Sequence, residues 1–176
     1  IANNSLIYAA ARGGHIRELA YNWQANGYIT GDISIRSSHL FDGKKIMDMC
    51  LQKSPFPIVW CVSSDGSLLG LTYLPEQNIG AWHKHTTDGV VESITSVTEQ
   101  DDDILYAVIK RTVQGRSVRY IERMRPRKTT AQKDYFFMDG GLTYRGEPVG
   151  VVTGLGALEG KTVQILADGN VMPKTV

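Results

Sequence analysis

The sequence predicts a mainly β protein: an antiparallel meander of hairpins, arranged as partial β-propeller-like blades, with one short helix and part of a small β-barrel at its end. Three observations predict it. Between residues 58 and 123, short β-rich runs are separated by turn dipeptides such as Asp-Gly. These turns recur at about the 8–12-residue spacing of an all-β meander. Hydrophobic residues at 42% and charged residues at 21% supply a packed core, which a disordered or collagen-like chain lacks.

Taken in order, Ser5-Leu6-Ile7-Tyr8-Ala9-Ala10 and Ile16-Arg17-Glu18-Leu19-Ala20-Tyr21 flank the turn Arg12-Gly13-Gly14-His15 and read as a first strand pair. From Ser37 to Gln52 the apolar residues Leu40, Phe41, Ile46, Met47, Met49, Cys50 and Leu51 fit helical spacing better than alternation. A short helix is therefore expected near 43–52, ended before Pro55 and Pro57. Ile58-Val59-Trp60-Cys61-Val62 and Leu68-Leu69-Gly70-Leu71-Thr72-Tyr73 are joined through Asp65-Gly66, a strong hairpin signal because glycine accepts the positive φ of the primed turns. Asp88-Gly89 between Ala81–Thr86 and Val90–Val97 predicts a second hairpin. The acidic run Asp101-Asp102-Asp103 reads as a solvated loop, after which Ile104–Lys110 and Ser117–Glu122 form a third hairpin across Gln114-Gly115-Arg116.

This divides the chain into a propeller-like hairpin domain over 1–124, a connector over 125–134 with almost no core-forming side chain, and the start of a small β-barrel insertion over 135–176. In the last unit, Tyr135–Gly141, Val149–Leu155 and Thr162–Val171 are β-like runs with glycine-rich joints. About 40 residues cannot bury a core alone, so this unit is expected to need completion. The chain starts at Ile1 and stops at Val176, just after Met172-Pro173-Lys174-Thr175, and reads as a piece of a longer protein.

Nineteen Lys and Arg against 18 Asp and Glu leave a net charge of +1, without the excess of a dedicated nucleic-acid or membrane-surface binder. Cys50 and Cys61 make neither a disulfide framework nor a zinc site, and a reducing compartment during synthesis is the default. No apolar run approaches the roughly 20 residues of a membrane-spanning helix.

Chemistry-bearing patterns are few. His83 and His85, at i and i+2 on a strand, share one face at a spacing that can hold a metal, yet no third ligand is tied to them, since His15 and His39 are remote in sequence. The simpler reading is a polar face beside a buried Trp82. Asp101–Asp103 lack the spaced oxygens and glycine of a calcium loop. Cys61 lies in an apolar run and Cys50 has no neighbouring His or Arg, so neither reads as a nucleophile. In Gly154-Leu155-Gly156-Ala157-Leu158-Glu159-Gly160 the last glycine comes one residue late for a dinucleotide loop and no βαβ unit surrounds it. No catalytic, metal or cofactor-binding residue is therefore assigned, and no cofactor is expected. Trp60, Tyr73, Trp82 and Tyr120 are the candidate interface or core aromatics. Arg116, Arg119 and Arg123, in the basic stretch that continues to Arg125, Arg127 and Lys128, are candidate DNA-facing residues, against the plainer reading of an alternating strand entering a charged connector.

Pro57-Ile58-Val59-Trp60-Cys61-Val62-Ser63-Ser64-Asp65-Gly66-Ser67-Leu68-Leu69-Gly70-Leu71-Thr72-Tyr73, with Ala81-Trp82-His83-Lys84-His85 and Val118-Arg119-Tyr120-Ile121-Glu122-Arg123, resembles the tail-tube or nozzle proteins of short-tailed bacteriophages and prophages. The likeness extends upstream through Ile16–Tyr21 and Ser38-His39-Leu40-Phe41 and covers roughly residues 5 to 125. Leu155–Gly169 is similar to a small β-barrel insertion in such proteins. The resemblance implies a noncatalytic virion tail component, made in the host bacterial cytoplasm. Its implied partners are other tail subunits and the portal or adaptor, in a homo-oligomeric ring with transient contact to phage DNA and no membrane span. Two other classes compete: a carbohydrate-binding or glycan-degrading tail module stacking sugars on Trp60, Tyr73 and Trp82, and a hydrolase built on His83 or His85 with an acidic residue.

Overall fold

A computed structural model of the protein describes residues 5–125 and 139–176. The strands are β1 (Leu6–Ala9), β2 (Ile16–Asn22), β3 (Gly27–Asp32), β4 (Ile46–Gln52), β5 (Ile58–Ser63), β6 (Leu68–Leu74), β7 (Ile79–His85), β8 (Val90–Glu99), β9 (Asp102–Val113), β10 (Arg116–Arg123), β11 (Thr162–Ala167) and β12 (Asn170–Thr175). Every pairing is antiparallel. They form four sheets in the orders β1-β2-β3, β4-β5-β6-β7, β10-β9-β8 and β11-β12. The described residues close neither a barrel nor a propeller.

The first three sheets stack as layers, and the alternation in β5 shows why. Ile58, Trp60 and Val62 point to one side, where they pack with Leu68, Val91, Ile94, Leu105, Ala107 and Ile109 of the β8–β10 layer and its neighbours. Val59 and Cys61 point to the other, where they join Leu69, Leu71, Tyr73, Ile16 and Phe41 beneath the β1–β3 layer. All six residues of β5 are buried. A sheet covered on both faces loses the polar–apolar alternation of a half-exposed one. Fully burying each large apolar chain contributes roughly 1.5–3 kcal/mol, so these two clusters are where the stability of the stack resides.

Several sequence expectations hold. The β1–β2 pair, the β5–β6 hairpin through Asp65-Gly66 and the β9–β10 hairpin through Gln114-Gly115 all form. At the β5–β6 turn, Gly66 takes φ +78° and Asp65 Oδ1 accepts a hydrogen bond from the Ser67 amide at 3.1 Å.

Other expectations need correction. Asp88-Gly89 does not make a hairpin: β7 pairs with β6 while β8 pairs with β9, so this turn carries the chain from one layer to the next. The helix expected at 43–52 is strand β4, and the short helical segment of this region is a 3-10 stretch upstream at Ile35–Leu40. The acidic run is a loop only at its first residue, Asp101, which is exposed in the turn. Gln100, at φ +55°, turns β8 into β9, and Asp102 and Asp103 already belong to β9. Val149–Leu155 is not a strand, whereas 162–171 is split by Asp168-Gly169 into β11 and the start of β12. Of the expected connector, only Arg125 lies among the described residues, and Tyr135–Met138 lie outside them.

Candidate functional site

The candidate aromatics end up mostly inside. Trp60 has no exposed surface and donates from Nε1 to Gln52 Oε1 at 3.0 Å. Tyr73 is 5% exposed and its hydroxyl donates a short hydrogen bond to Glu18; burial and that carboxylate push its pKa up to about 12. Trp82 stacks edge-on against Phe41, with ring centroids 4.7 Å apart, and donates to the Ile33 carbonyl at 2.8 Å. These three tie the middle layer to its neighbours, and Trp60 and Tyr73 present no face on which a sugar could stack. Tyr120 is half-buried at the rim of a cleft.

His83 and His85 do share a face, as the i, i+2 spacing requires. Their rings are linked at 2.8 Å between His83 Nδ1 and His85 Nε2, and both lie edge-on to Trp60 at centroid distances of 5.6 and 5.2 Å. His83 also lies over Gly70, its partner across β6–β7, and a Cβ there would come 2.2 Å from His83 Cε1. Gly70 therefore makes room for the imidazole. Among the described residues, no group of three or more His, Cys, Asp or Glu side chains is placed to hold a metal ion. Burial pushes the thiols of both Cys50 and Cys61 up to about 12, with the Asp48 charge adding at Cys50.

The basic stretch is folded into ion pairs. Arg119 makes two contacts to Glu92, at 2.6 and 3.1 Å, and Arg123 Nη2 meets Glu99 Oε2 at 2.6 Å, the same carboxylate that accepts from Tyr106 at 2.5 Å. Arg111, missed in the sequence, is the most enclosed. It makes two contacts to Glu122 at 2.5 and 2.8 Å, two to Asp139 at 3.1 and 3.2 Å, and one to the Asp88 carbonyl at 2.8 Å. Hydrogen bonding to Glu122 raises its pKa, although burial opposes this. Burial alone would raise Asp139, but Arg111 and Thr87 hold it below the usual carboxylate value. Arg116 is exposed at the β9–β10 turn.

Beside Arg111 lies a cleft of about 820 Å³ between the inner face of β9–β10 and residues 139–161, walled by Leu105, Ile109, Tyr120, Leu142 and Leu158. Several of its charged groups pair with one another: Arg111 with Glu122 and Asp139, and Lys161 with Asp88 at 2.7 Å, while Arg123 turns to Glu99.

A Ser–His–Asp grouping, invisible in the sequence, sits where β2 meets the 3-10 stretch. His15 Nδ1 lies 3.0 Å from Ser34 Oγ and 3.1 Å from Asp32 Oδ2, and its Nε2 lies 3.3 Å from Asp42. Ser34 and Asp32 share Nδ1 while Asp42 meets the other nitrogen, so a serine and a carboxylate do oppose each other across the ring as in a catalytic triad, but the serine is shut away from any substrate. Ser34 is fully buried, donates to Asp32 at 2.7 Å and accepts from the Ile16 amide at 3.2 Å. The cluster is a clasp between segments.

Among the described residues the two most exposed aromatics are elsewhere, at the β2–β3 hairpin. Trp23 is 85% and Tyr28 74% exposed, and Tyr21 meets both edge-to-face at 5.0 and 5.4 Å. The Asn26-Gly27 dipeptide at this turn is the signal that could have located them. No helix of the described residues is long and apolar enough to cross a membrane. No protein-family model matches the chain, and no curated protein matches it.

Proposed function

We propose that this chain is a noncatalytic assembly module, a structural component of a phage or prophage tail tube or nozzle that acts by holding neighbouring subunits. The observation that carries the reading is the stack of three open antiparallel sheets, in which Trp60, Tyr73 and Trp82 are used in packing and Arg111, Arg119 and Arg123 in ion pairs. Four-stranded β4–β7, laid between two further sheets, has the layout of one blade between its neighbours, which supports a propeller-like ring in the intact protein. Contact with the portal or adaptor, and a DNA channel lined by Arg116, Arg119 and Arg123, belong to the same proposal. For Arg119 and Arg123, any phosphate contact has to compete with Glu92 and Glu99. The site of action is then the virion tail, after synthesis in the host cytoplasm.

Cryo-electron microscopy of the phage particle tests this directly. A ring of identical subunits below the portal, with density matching the three-layer stack, is the expected result. A particle without the chain would end the proposal. A glycan array is the second arm, because specific sugar binding would move the assignment to a carbohydrate-binding tail module.

A further inference from the structure

Open sheets leave unpaired strand edges, and proteins blunt such edges with charge, proline, bulges or shortness. Most edges here carry one of these devices. β1 has four residues, β4 and β8 have register shifts next to Asp48 and Glu92, β7 carries Lys84, β10 carries three arginines, and β12 carries Pro173 and Lys174. Among the described strands, two edges lack all of them: β3, whose one charge is its last residue Asp32, and β11, which has none. Both are six residues long.

We propose that β11 of one copy adds antiparallel to the free edge of β3 in a second copy, with Gly27 opposite Ala167 and Asp32 opposite Thr162. The proposal rests on the assembly reading above and names the partner as the same chain. In this register Ile29 faces Ile165, Tyr28 faces Leu166, and Thr30 faces Gln164, so apolar meets apolar and polar meets polar on both faces. Val171 and Met172, the β12 partners of Leu166 and Ile165, extend the two apolar rows. Tyr28, Ile29, Ile165, Leu166, Val171 and Met172 are each at least 39% exposed in the single chain.

Two further features fit. A two-stranded hairpin is marginally stable alone in water, and β11-β12 is a two-stranded sheet. Gly31 sits in β3 without positive φ, and a Cβ there would meet nothing within 4 Å, so its own chain does not require a glycine. A bare backbone in a strand suits close approach by another chain. Each copy donates one surface and accepts on another, so the contact is heterologous and propagates into a ring or filament.

Sedimentation velocity on the whole chain, from roughly 1 to 500 μM, tests it. The unsubstituted chain should gain mass with concentration, while Gly31→Lys and Leu166→Asp should each remain monomeric. An equimolar mixture of the two should form 1:1 dimers and nothing larger, because one supplies the intact hairpin and the other the intact edge. An unchanged thermal midpoint for Gly31→Lys shows that folding is intact. Mixed Thr30→Cys and Gln164→Cys chains should form a disulfide-linked dimer, whereas Thr30→Cys with Ala167→Cys should not. A chain that is monomeric throughout, a variant that still self-associates, or a mixture that stays monomeric overturns the inference. Self-association that survives both substitutions sinks this contact while leaving the assembly reading standing.

Discussion

Replacing Gly70 with alanine adds a single methyl group to β6, and the structure says where it goes. The new Cβ would stand 2.2 Å from His83 Cε1 and 2.8 Å from Nε2, well inside van der Waals contact. The imidazole has little room to retreat, because Trp60 and His85 hold it edge-on at centroid distances of 5.6 and 5.0 Å. Overpacking of this kind costs about 1–3 kcal/mol. Removing a strand glycine returns about 0.5–1 kcal/mol through lost unfolded-state freedom. The net expectation is a loss of roughly 1–2 kcal/mol, or a melting temperature lower by roughly 2–8 °C. Urea unfolding followed by Trp fluorescence measures it. Combining Gly70→Ala with His83→Ala should recover most of the loss beyond what His83→Ala costs alone, since the double substitution removes the colliding ring. A neutral or stabilising Gly70→Ala, or strictly additive effects, would refute the packing argument.

Other expectations concern charge and thiols. Arg111→Ala leaves Glu122 and Asp139 without their shared cation and should cost about 1–3 kcal/mol by chemical denaturation. Arg111→Lys should recover little of it, because an ammonium cannot make both forked contacts. Acid should destabilise the fold as pH falls from about 4.5 towards 2, measured by thermal melts across that range. Hydrogen bonds from the Lys53 amide and Thr98 hold Asp103 low, and Arg123 holds Glu99 at about 2. Both bind protons more readily unfolded, so their stabilisation is present above the unfolded pKa and is lost on descending through the folded one. Asp103→Asn should flatten that acid limb. Cys50 and Cys61, with thiols pushed up to about 12, should react with a disulfide reagent at pH 8 only on unfolding. Rapid labelling of the native chain at Cys61 would contradict its burial.

The sequence makes the β-rich class plain, because glycine turns and alternation are local signals. What it conceals depends on partners. Asp88-Gly89 announces a reversal but not whether the flanking strands pair, and Val91 and Ile94 are instead drawn into the layer against Trp60. β4 resembles a helix because it is apolar on both sides, with Cys50 packing towards one core and Ile46, Met49 and Leu51 towards the other. A register shift between Ile46 and Asp48 disrupts its alternation further. Asn26-Gly27 was available as a hairpin signal, but β3 buries so little that nothing apolar alternates beside it. The His15 clasp and the Arg111 network join residues 11 to 28 positions apart on different segments, and no local spacing rule reaches that far.

A middle layer sealed on both sides also sets a timetable for synthesis. Ile7 and Ile16 leave the ribosome before Val59, Leu69, Leu71 and Trp82, the residues that cover them, have been made. At roughly 5–20 residues per second, about 50 further residues take roughly 3–10 s. For that interval the amino-terminal sheet has no lid, and a nascent chain with a bare greasy face is the form that chaperones must hold. Slowing translation downstream of residue 32 should therefore lower the soluble yield, although no amino acid has changed.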